Sequence, residues 1–230
     1  RVEITDFDFL FAEPDAPVEQ RIDLPEGFVS LASRTPPAGS WPALRYLTER
    51  GVTKDDILKW KIGFCKDGEY AGRVVIPSFN ENGYANYYVA RSYGFEWPKY
   101  KNPPASRDII FNELYVNWDE DLVIVEGVFD AIKAGNGIPL LGSTLREGSA
   151  LFQAIVKNGN RVYLALDEDA SKKTRSIIRL LQRYGVEVYE VDTSGVEDVG
   201  DMSKEDFQSR KDNAAIVEKD NYLLQRLFAI

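Results

Sequence analysis

Hydrophobic and polar positions follow different patterns in successive parts of the chain. Turn formers and weak periodicity fill residues 1–40, which predicts an irregular N-terminal arm. After Ser40 and Thr53, which can act as helix caps, apolar side chains recur at helical spacing. These positions predict two short helices, one from about residue 41 to 50 and one from about 53 to 60.

Residues 72–92 have a β-type pattern. The runs RVVIPSF and YANYYVARSY flank the turn at residues 80–83, which ends in Asn-Gly. This combination is typical of an antiparallel hairpin.

After residue 119, short apolar strands alternate with helical segments, which predicts a parallel sheet with right-handed crossovers. The predicted strands are 122–125, 138–141, 162–166 and 186–191, the helices between them are 127–134, 147–157 and 171–184, and a last helix covers 213–228.

Composition limits the possible functions. The 230 residues contain 28 basic and 37 acidic side chains, a net charge of −9, which disfavours a protein that coats nucleic acid by bulk attraction. An enzyme that holds phosphates through metal ions remains compatible with this charge. The apolar runs are too short to span a bilayer, so we expect no membrane partner.

Residue types that are scarce narrow the chemistry further. One cysteine and no histidine exclude a zinc ribbon, a disulfide framework and Ser-His or Cys-His catalysis within this chain. The lone cysteine favours a cytoplasmic protein. Because the chain begins at Arg1 and its only methionine is Met202, we expect a piece of a longer protein.

Acidic residues cluster where the predicted strands end. Glu126 follows the first strand, Asp167 and Asp169 follow the third, and Asp198 and Asp201 lie in the loop after the fourth. In an open α/β sheet ligands bind outside these carboxyl ends. Carboxylates gathered there repel one another unless a cation neutralises them, and hard divalent ions such as Mg²⁺ prefer oxygen ligands. The pattern predicts a site for phosphoryl or nucleotidyl transfer.

A structural interpretation competes for each single acid, because an acid after a strand is often the cap of the next helix. This interpretation is strongest for Asp130, which lies in the first turn of the helix after Glu126. Glu168 is expected to be solvated.

The Glu-Gly-x-x-Asp sequence at 126–130, followed about forty residues later by Asp-x-Asp, is similar to the Toprim domain of DnaG-like primases, topoisomerases, some nucleases and RecR. The upstream sequence resembles DnaG-like primases in particular, in ALRYLTERGVTKDDILKWKIGFCKDG (43–68), in the hairpin and in PKYKNPP (98–104). These segments occur in the same order as in that family.

This resemblance implies an α/β fold, α+β overall, with a Toprim-type parallel sheet flanked by helices and preceded by a smaller mixed α/β basic subdomain. The implied divisions are an arm at 1–40, the basic subdomain at 41–118, the Toprim domain at 119–207 and a C-terminal helix at 208–230. Glu126, Asp167 and Asp169 would be catalytic, and with Asp198 and Asp201 they would hold Mg²⁺, for which Mn²⁺ can substitute. Nucleotides and nucleic acid would be held by Arg73, Arg91, Lys99, Lys101 and Asn102.

The activity implied is that of a DNA primase core of phage or bacterial type, which synthesises short RNA primers. Its partners would be a single-stranded DNA template, ribonucleoside triphosphates, the nascent RNA and a replicative helicase that binds through regions outside this chain. Two alternatives remain: a Toprim nuclease or topoisomerase fragment that cleaves DNA with the same metal site, and a RecR-like mediator that only binds DNA. The primase-like upstream half argues against the first, and the missing four-cysteine zinc site argues against the second.

Overall fold

The computed structural model of the protein describes residues 19–196 and 198–218, apart from the side chain of Glu168. Two sheets organise these residues, one with four strands and one with five. None of the helices in these ranges is long and apolar enough to cross a membrane.

The first sheet is antiparallel, and its strands lie side by side in chain order. The strands are β1 (Phe28–Ser30), β2 (Gly63–Cys65), β3 (Arg73–Phe79) and β4 (Ala85–Ser92). The predicted hairpin is therefore confirmed as β3 and β4, with Val75 opposite Ala90.

Both predicted short helices form, as α1 (Trp41–Glu49) and α2 (Lys54–Lys59). The Thr53 backbone N–H donates to Asp56 Oδ2 at 2.9 Å, and Thr53 Oγ1 accepts from the Asp56 backbone N–H at 3.2 Å. This reciprocal capping satisfies N–H groups that the first turn of a helix leaves without partners.

The second sheet confirms the predicted α/β alternation. Its strand order is β6-β5-β7-β8-β9, parallel except for β9. In chain order the elements are β5 (Leu122–Val125), α3 (Val128–Lys133), β6 (Gly137–Pro139), α4 (Ala150–Asn158), β7 (Val162–Ala165), α5 (Ser171–Arg183), β8 (Val188–Glu190), α6 (Lys204–Asp212) and β9 (Ala215–Ile216).

Two regions differ from the sequence-based expectation. The N-terminal arm is not irregular throughout, because β1 pairs with β2 at the edge of the first sheet. The last helix was predicted from residue 213, but the helix here is α6, and β9 follows it; residues 219–228 lie outside the described ranges. A three-residue and a two-residue strand are too short to show a period of two, and pairing with an existing strand defines them.

One hydrophobic core joins the two sheets. Val74 and Ile76 of β3 belong to the same buried cluster as Val123 and Val125 of β5 and the apolar face of α3. This packing brings β4 and the segment after it beside the carboxyl ends of β5 and β7.

Candidate metal and nucleotide site

Four carboxylates line one cavity of about 360 Å³ at the carboxyl edge of the second sheet. Val125 of β5 lies beside Ala165 of β7 in parallel register, so Glu126 and Asp167 emerge at the same edge. The cavity is lined by Glu126, Asp130, Asp167 and Asp198 together with Val89, Tyr100, Asn102, Arg107, Gly127, Val128, Leu141 and Gly142.

Asp130 and Asp198 form a hydrogen-bonded carboxyl pair held by backbone donors. Gly200 N–H donates to Asp130 Oδ1 at 2.9 Å and to Asp198 Oδ1 at 2.8 Å, and Gly127 N–H donates to Asp130 Oδ2 at 2.7 Å. Burial, together with the neighbouring carboxylate of Asp198, raises the pKa of Asp130 to about 8. The hydrogen bond from Asp130 lowers the pKa of Asp198, so the pair shares one proton, which resides on Asp130.

Asp167 carries the least compensated carboxylate of the cavity. Its Oδ1 is buried and has no hydrogen-bond partner. Burial, together with the negative charges of Glu126, Asp198 and Asp169, raises the pKa of Asp167 to about 6. An anion in this position is unfavourable unless a cation approaches it.

Glu126 is paired with a lysine that our sequence-based prediction did not include. Lys173, in the first turn of α5, donates to Glu126 Oε2, and about a fifth of each side chain is exposed. Glu126 Oε1 is buried and without a partner. A lysine in the first turn of a helix is unfavourable, because its charge opposes the helix dipole. The position of Lys173 in the sequence was therefore a signal that its side chain pairs with an anion outside its own helix.

The donor set fits a hard divalent cation, although the side chains do not yet surround one. Two of its buried oxygens, Glu126 Oε1 and Asp167 Oδ1, lack any hydrogen-bond donor. Across residues 19–196 and 198–218, no three His, Cys, Asp or Glu side chains form a group that could hold a metal ion as they stand. Lys173 Nζ and the backbone N–H of Gly200 donate to carboxylate oxygens that such an ion would need, so binding of the ion requires the side chains of the site to rearrange.

The structure separates the predicted acidic residues into two groups. Glu126, Asp167 and Asp198 lie together, joined by Asp130, for which the structural interpretation was favoured. Asp169 is exposed in a 3₁₀ turn and does not line the cavity, although its charge still acts on Asp167.

Asp201 lies elsewhere. It lines a second cavity, of about 380 Å³, with Lys133 and Lys204. The loop that carries Asp198 and Asp201 turns through a 3₁₀ helix, Val199–Asp201, between them. The two carboxylates therefore leave the turn on different sides, which their spacing in sequence did not reveal.

The predicted basic residues also differ in position. Arg73 is 2% exposed and donates to the Lys99 carbonyl at 3.4 Å, and the Arg91 guanidinium lies 4.6 Å from the centre of the Tyr100 ring. Both position the segment around residue 100. Lys101 pairs with Glu69 at 2.9 Å, whereas Lys99 is exposed.

Two polar side chains from this segment reach the acidic cavity itself. Asn102, which was predicted, lines it and accepts from the Ala90 backbone N–H at 3.4 Å. Arg107, which was not predicted, also lines it and donates to the Leu141 carbonyl at 3.2 Å. Arg107 thus places a guanidinium in the same cavity as the carboxylates, where it could bind an anionic ligand.

The carboxyl pair predicts a pH dependence of stability in the metal-free protein. The pKa values of Asp130 and Asp167 lie above the reference of 3.8, so between about pH 4 and 8 the folded state retains protons that the unfolded state releases. The free energy of unfolding should therefore fall as the pH rises through this window. Asp130→Asn should reduce the fall by at least about 1 kcal/mol.

Urea denaturation in EDTA at pH 5, 6.5 and 8 measures this effect. Asp121→Asn is the matched control, because Asp121 precedes β5 at the opposite edge of the sheet. A fall that is as steep in Asp130→Asn as in the wild type would contradict the shared-proton arrangement.

Comparison with curated proteins finds two DNA primases among the similar sequences. The DNA primase of Thermotoga maritima is 31% identical over 137 residues, which cover 51% of this chain and 24% of that protein. The DNA primase of Halalkalibacterium halodurans is 29% identical over 196 residues, which cover 62% of this chain and 32% of that protein. The matched region therefore spans a quarter to a third of the length of these relatives. No family model matches the chain.

Several solved structures of DNA primase domains have a fold similar to that of this chain. A DNA primase domain from Pseudomonas aeruginosa has a TM-score of 0.69 at 18% identity, covering 87% of this chain and 79% of that one. The catalytic core of the Escherichia coli primase has 0.65 at 18%, covering 81% and 76%. A DnaG primase catalytic domain bound to single-stranded DNA has 0.67 at 20%, covering 81% and 74%. The resemblance to DnaG-like primases, and the α/β fold it implied, are confirmed.

Proposed function

We propose that this chain is the catalytic core of a DNA primase that synthesises short RNA primers on single-stranded DNA. The observation that carries the proposal is the acidic cavity, in which Glu126 Oε1 and Asp167 Oδ1 are buried without donors and which Arg107 also lines. The curated relatives and the solved structures with the same fold are primases, which supports the proposal.

In this proposal Glu126, Asp167 and Asp198 hold Mg²⁺, or Mn²⁺ in its place, and Asp130 positions Asp198 through their shared proton. A divalent ion bound there would supply charge neutralisation at the phosphates of the incoming nucleotide. Asp169 remains a predicted ligand that would have to turn inward from its exposed position.

Side chains of residues 41–118 would hold the anionic substrates. Arg107 would grip nucleotide phosphates and Asn102 would orient the nucleotide, since both line the cavity. Lys99 and Lys101, on the same segment, would contact the template and the nascent RNA as point charges. Arg73 and Arg91 would keep this segment in place.

The reaction needs alignment more than a side-chain nucleophile, which suits a chain without histidine. The 3′-hydroxyl of the growing RNA attacks the α-phosphorus of the bound ribonucleoside triphosphate, and pyrophosphate leaves. In this proposal the protein holds these two groups in line and stabilises the charge that develops between them. A helicase partner would bind through regions outside this chain.

Incubation with single-stranded DNA, Mg²⁺ or Mn²⁺ and labelled ribonucleotides tests the proposal. We expect short oligoribonucleotides that require both the template and the metal, with omission of template and addition of EDTA as controls. Nicked DNA without synthesis would favour the cleavage alternative, and DNA binding without any chemistry would overturn an enzymatic function.

A further inference from the structure

Two large aromatic side chains project from the loop that follows β4. Phe95 and Trp97 have exposed fractions of 107% and 89%, the highest among the large hydrophobic residues in the described ranges. Tyr87 and Tyr88 of β4, in contrast, are 1% and 5% exposed and belong to the interior. Neighbouring apolar side chains placed in water in this way are typical of a binding surface.

Hydrogen bonds on both sides hold this loop in a defined shape. Ser92 Oγ donates to Glu96 Oε2 at 2.8 Å and accepts from the Gly94 N–H at 3.2 Å. The Tyr93 N–H donates to the Gly72 carbonyl at 3.1 Å, and the Ser92 N–H donates to the Lys99 carbonyl at 3.0 Å. Glu96 is exposed but is held to Ser92 by this hydrogen bond, while the rings of Phe95 and Trp97 on either side of it lie in solvent.

The aromatic pair is continuous with the proposed active site. Arg91 and Tyr100 form a β-bridge at the base of the loop, and Tyr100 and Asn102 line the acidic cavity. Asn102 is five positions after Trp97, so the backbone between them spans at most about 18 Å. A ligand that extends out of the cavity along this segment would therefore reach Trp97 within that distance.

Local charge indicates which ligand fits this surface. Lys99 is exposed and lies in the chain between the aromatic pair and Asn102 of the cavity, and Lys101, which also pairs with Glu69, follows two residues later. Aromatic faces beside cations match unpaired nucleotides, because every base presents a face for stacking and every linkage carries a phosphate. A protein partner would gain less from this alternation of aromatic rings and cations.

We propose that Phe95 and Trp97 form a stacking platform for unpaired bases of the single-stranded DNA that enters or leaves the acidic cavity. The inference rests on the proposed function only for the identity of that strand. In this proposal the aromatic rings of the loop stack on bases of any sequence, and Lys99 contacts phosphates. Variants of the aromatic residues and of Lys99 can therefore test the two kinds of contact separately.

Binding of a fluorescently labelled oligo(dT) to the whole chain, measured by anisotropy in EDTA without nucleotides, tests the platform. Trp97→Ala and Phe95→Ala should each weaken binding roughly 5- to 100-fold, the equivalent of losing one stacked base, while Trp97→Phe should retain most of it. Trp41→Ala is the matched control, because Trp41 is likewise exposed, at 75%, but belongs to α1 and not to the loop, so this variant should bind normally.

Salt dependence separates stacking from charge. Lys99→Ala should lower the slope of log affinity against log salt by about 0.7, whereas Trp97→Ala should leave the slope unchanged. Wild-type affinity in the Phe95→Ala/Trp97→Ala double variant would overturn the platform, as would self-association of the wild type that this double variant abolishes.

The binding assay and the synthesis assay can fail independently. A wild type that synthesises primers while the double variant binds DNA normally would refute the platform alone. A wild type that binds through the loop but never synthesises would refute the proposed function and leave the platform standing.

Discussion

The Asp167→Asn variant is expected to lose template-dependent primer synthesis by at least about 100-fold while remaining as stable as the wild type or becoming more stable. The carboxylate it removes is buried, has an oxygen without a partner and is repelled by Glu126 and Asp198. Its cost to the folded state is offset only when a cation binds, so the substitution should relieve repulsion and remove a ligand at once.

Rates of primer synthesis at saturating Mg²⁺ and Mn²⁺ measure the loss of activity, and urea denaturation in EDTA measures the stability. Asp121→Asn makes the same chemical change at the opposite edge of the sheet and should keep its activity. Synthesis by Asp167→Asn within a few-fold of the wild type would refute the assignment of Asp167 to the metal site.

The same assay decides between the two remaining predicted acids. Asp169→Asn should reduce synthesis if its exposed carboxylate turns inward in the metal-bound enzyme, as the resemblance to DnaG-like primases implies. Asp201→Asn should have a much smaller effect, because Asp201 lines the separate cavity with Lys133. If Asp201→Asn lost as much synthesis activity as Asp169→Asn, and both losses were large, Asp201 would again be assigned to the metal site.

Replacing Lys173 with methionine should increase the affinity for divalent cations about 10-fold. Lys173 neutralises Glu126 in the metal-free protein, so an incoming cation must displace it from Oε2. Methionine retains the aliphatic bulk of the side chain and removes the competing charge. The same change leaves Glu126 unpaired among other acids, which should lower the free energy of unfolding in EDTA by about 1–3 kcal/mol.

Titration with Mn²⁺, followed by calorimetry, and urea denaturation with and without metal test this pair of effects. Lys172→Met is the matched control, since Lys172 is adjacent but exposed and should change neither quantity appreciably. Weaker Mn²⁺ binding in Lys173→Met would contradict the competition between lysine and metal.

The longer strands and helices of the fold, and the hairpin turn, were predictable from the sequence. The apolar runs of β5 and β7, the amphipathic spacing of α5 and the Asn-Gly turn before β4 each carry a local signal that tertiary packing reinforces. The strands β1 and β9 carry no such signal. They exist because a neighbouring strand offers unpaired backbone groups, and that neighbour is distant in sequence.

Some residues of the candidate site were likewise predictable from the sequence, and others were not. Glu126 and Asp167 directly follow strands that are adjacent and parallel, so strand polarity alone brings them to one edge. Sequence spacing also suggested Asp201, but the 3₁₀ turn before it directs its side chain to another cavity. Lys173, Arg107 and the full burial of Asp130 depend on how α3, α5 and the segment after β4 pack.

The amino-acid sequence by itself determined the order of strands and helices and the acidic edge of the parallel sheet, because these follow from periodicity and chain direction. Only the tertiary structure decided which carboxylates share a cavity, which cation neutralises Glu126 and which aromatic rings face solvent. Those outcomes depend on the directions of side chains brought together from distant positions, and the free energies of burial and ion pairing that set them arise only after the two sheets have packed.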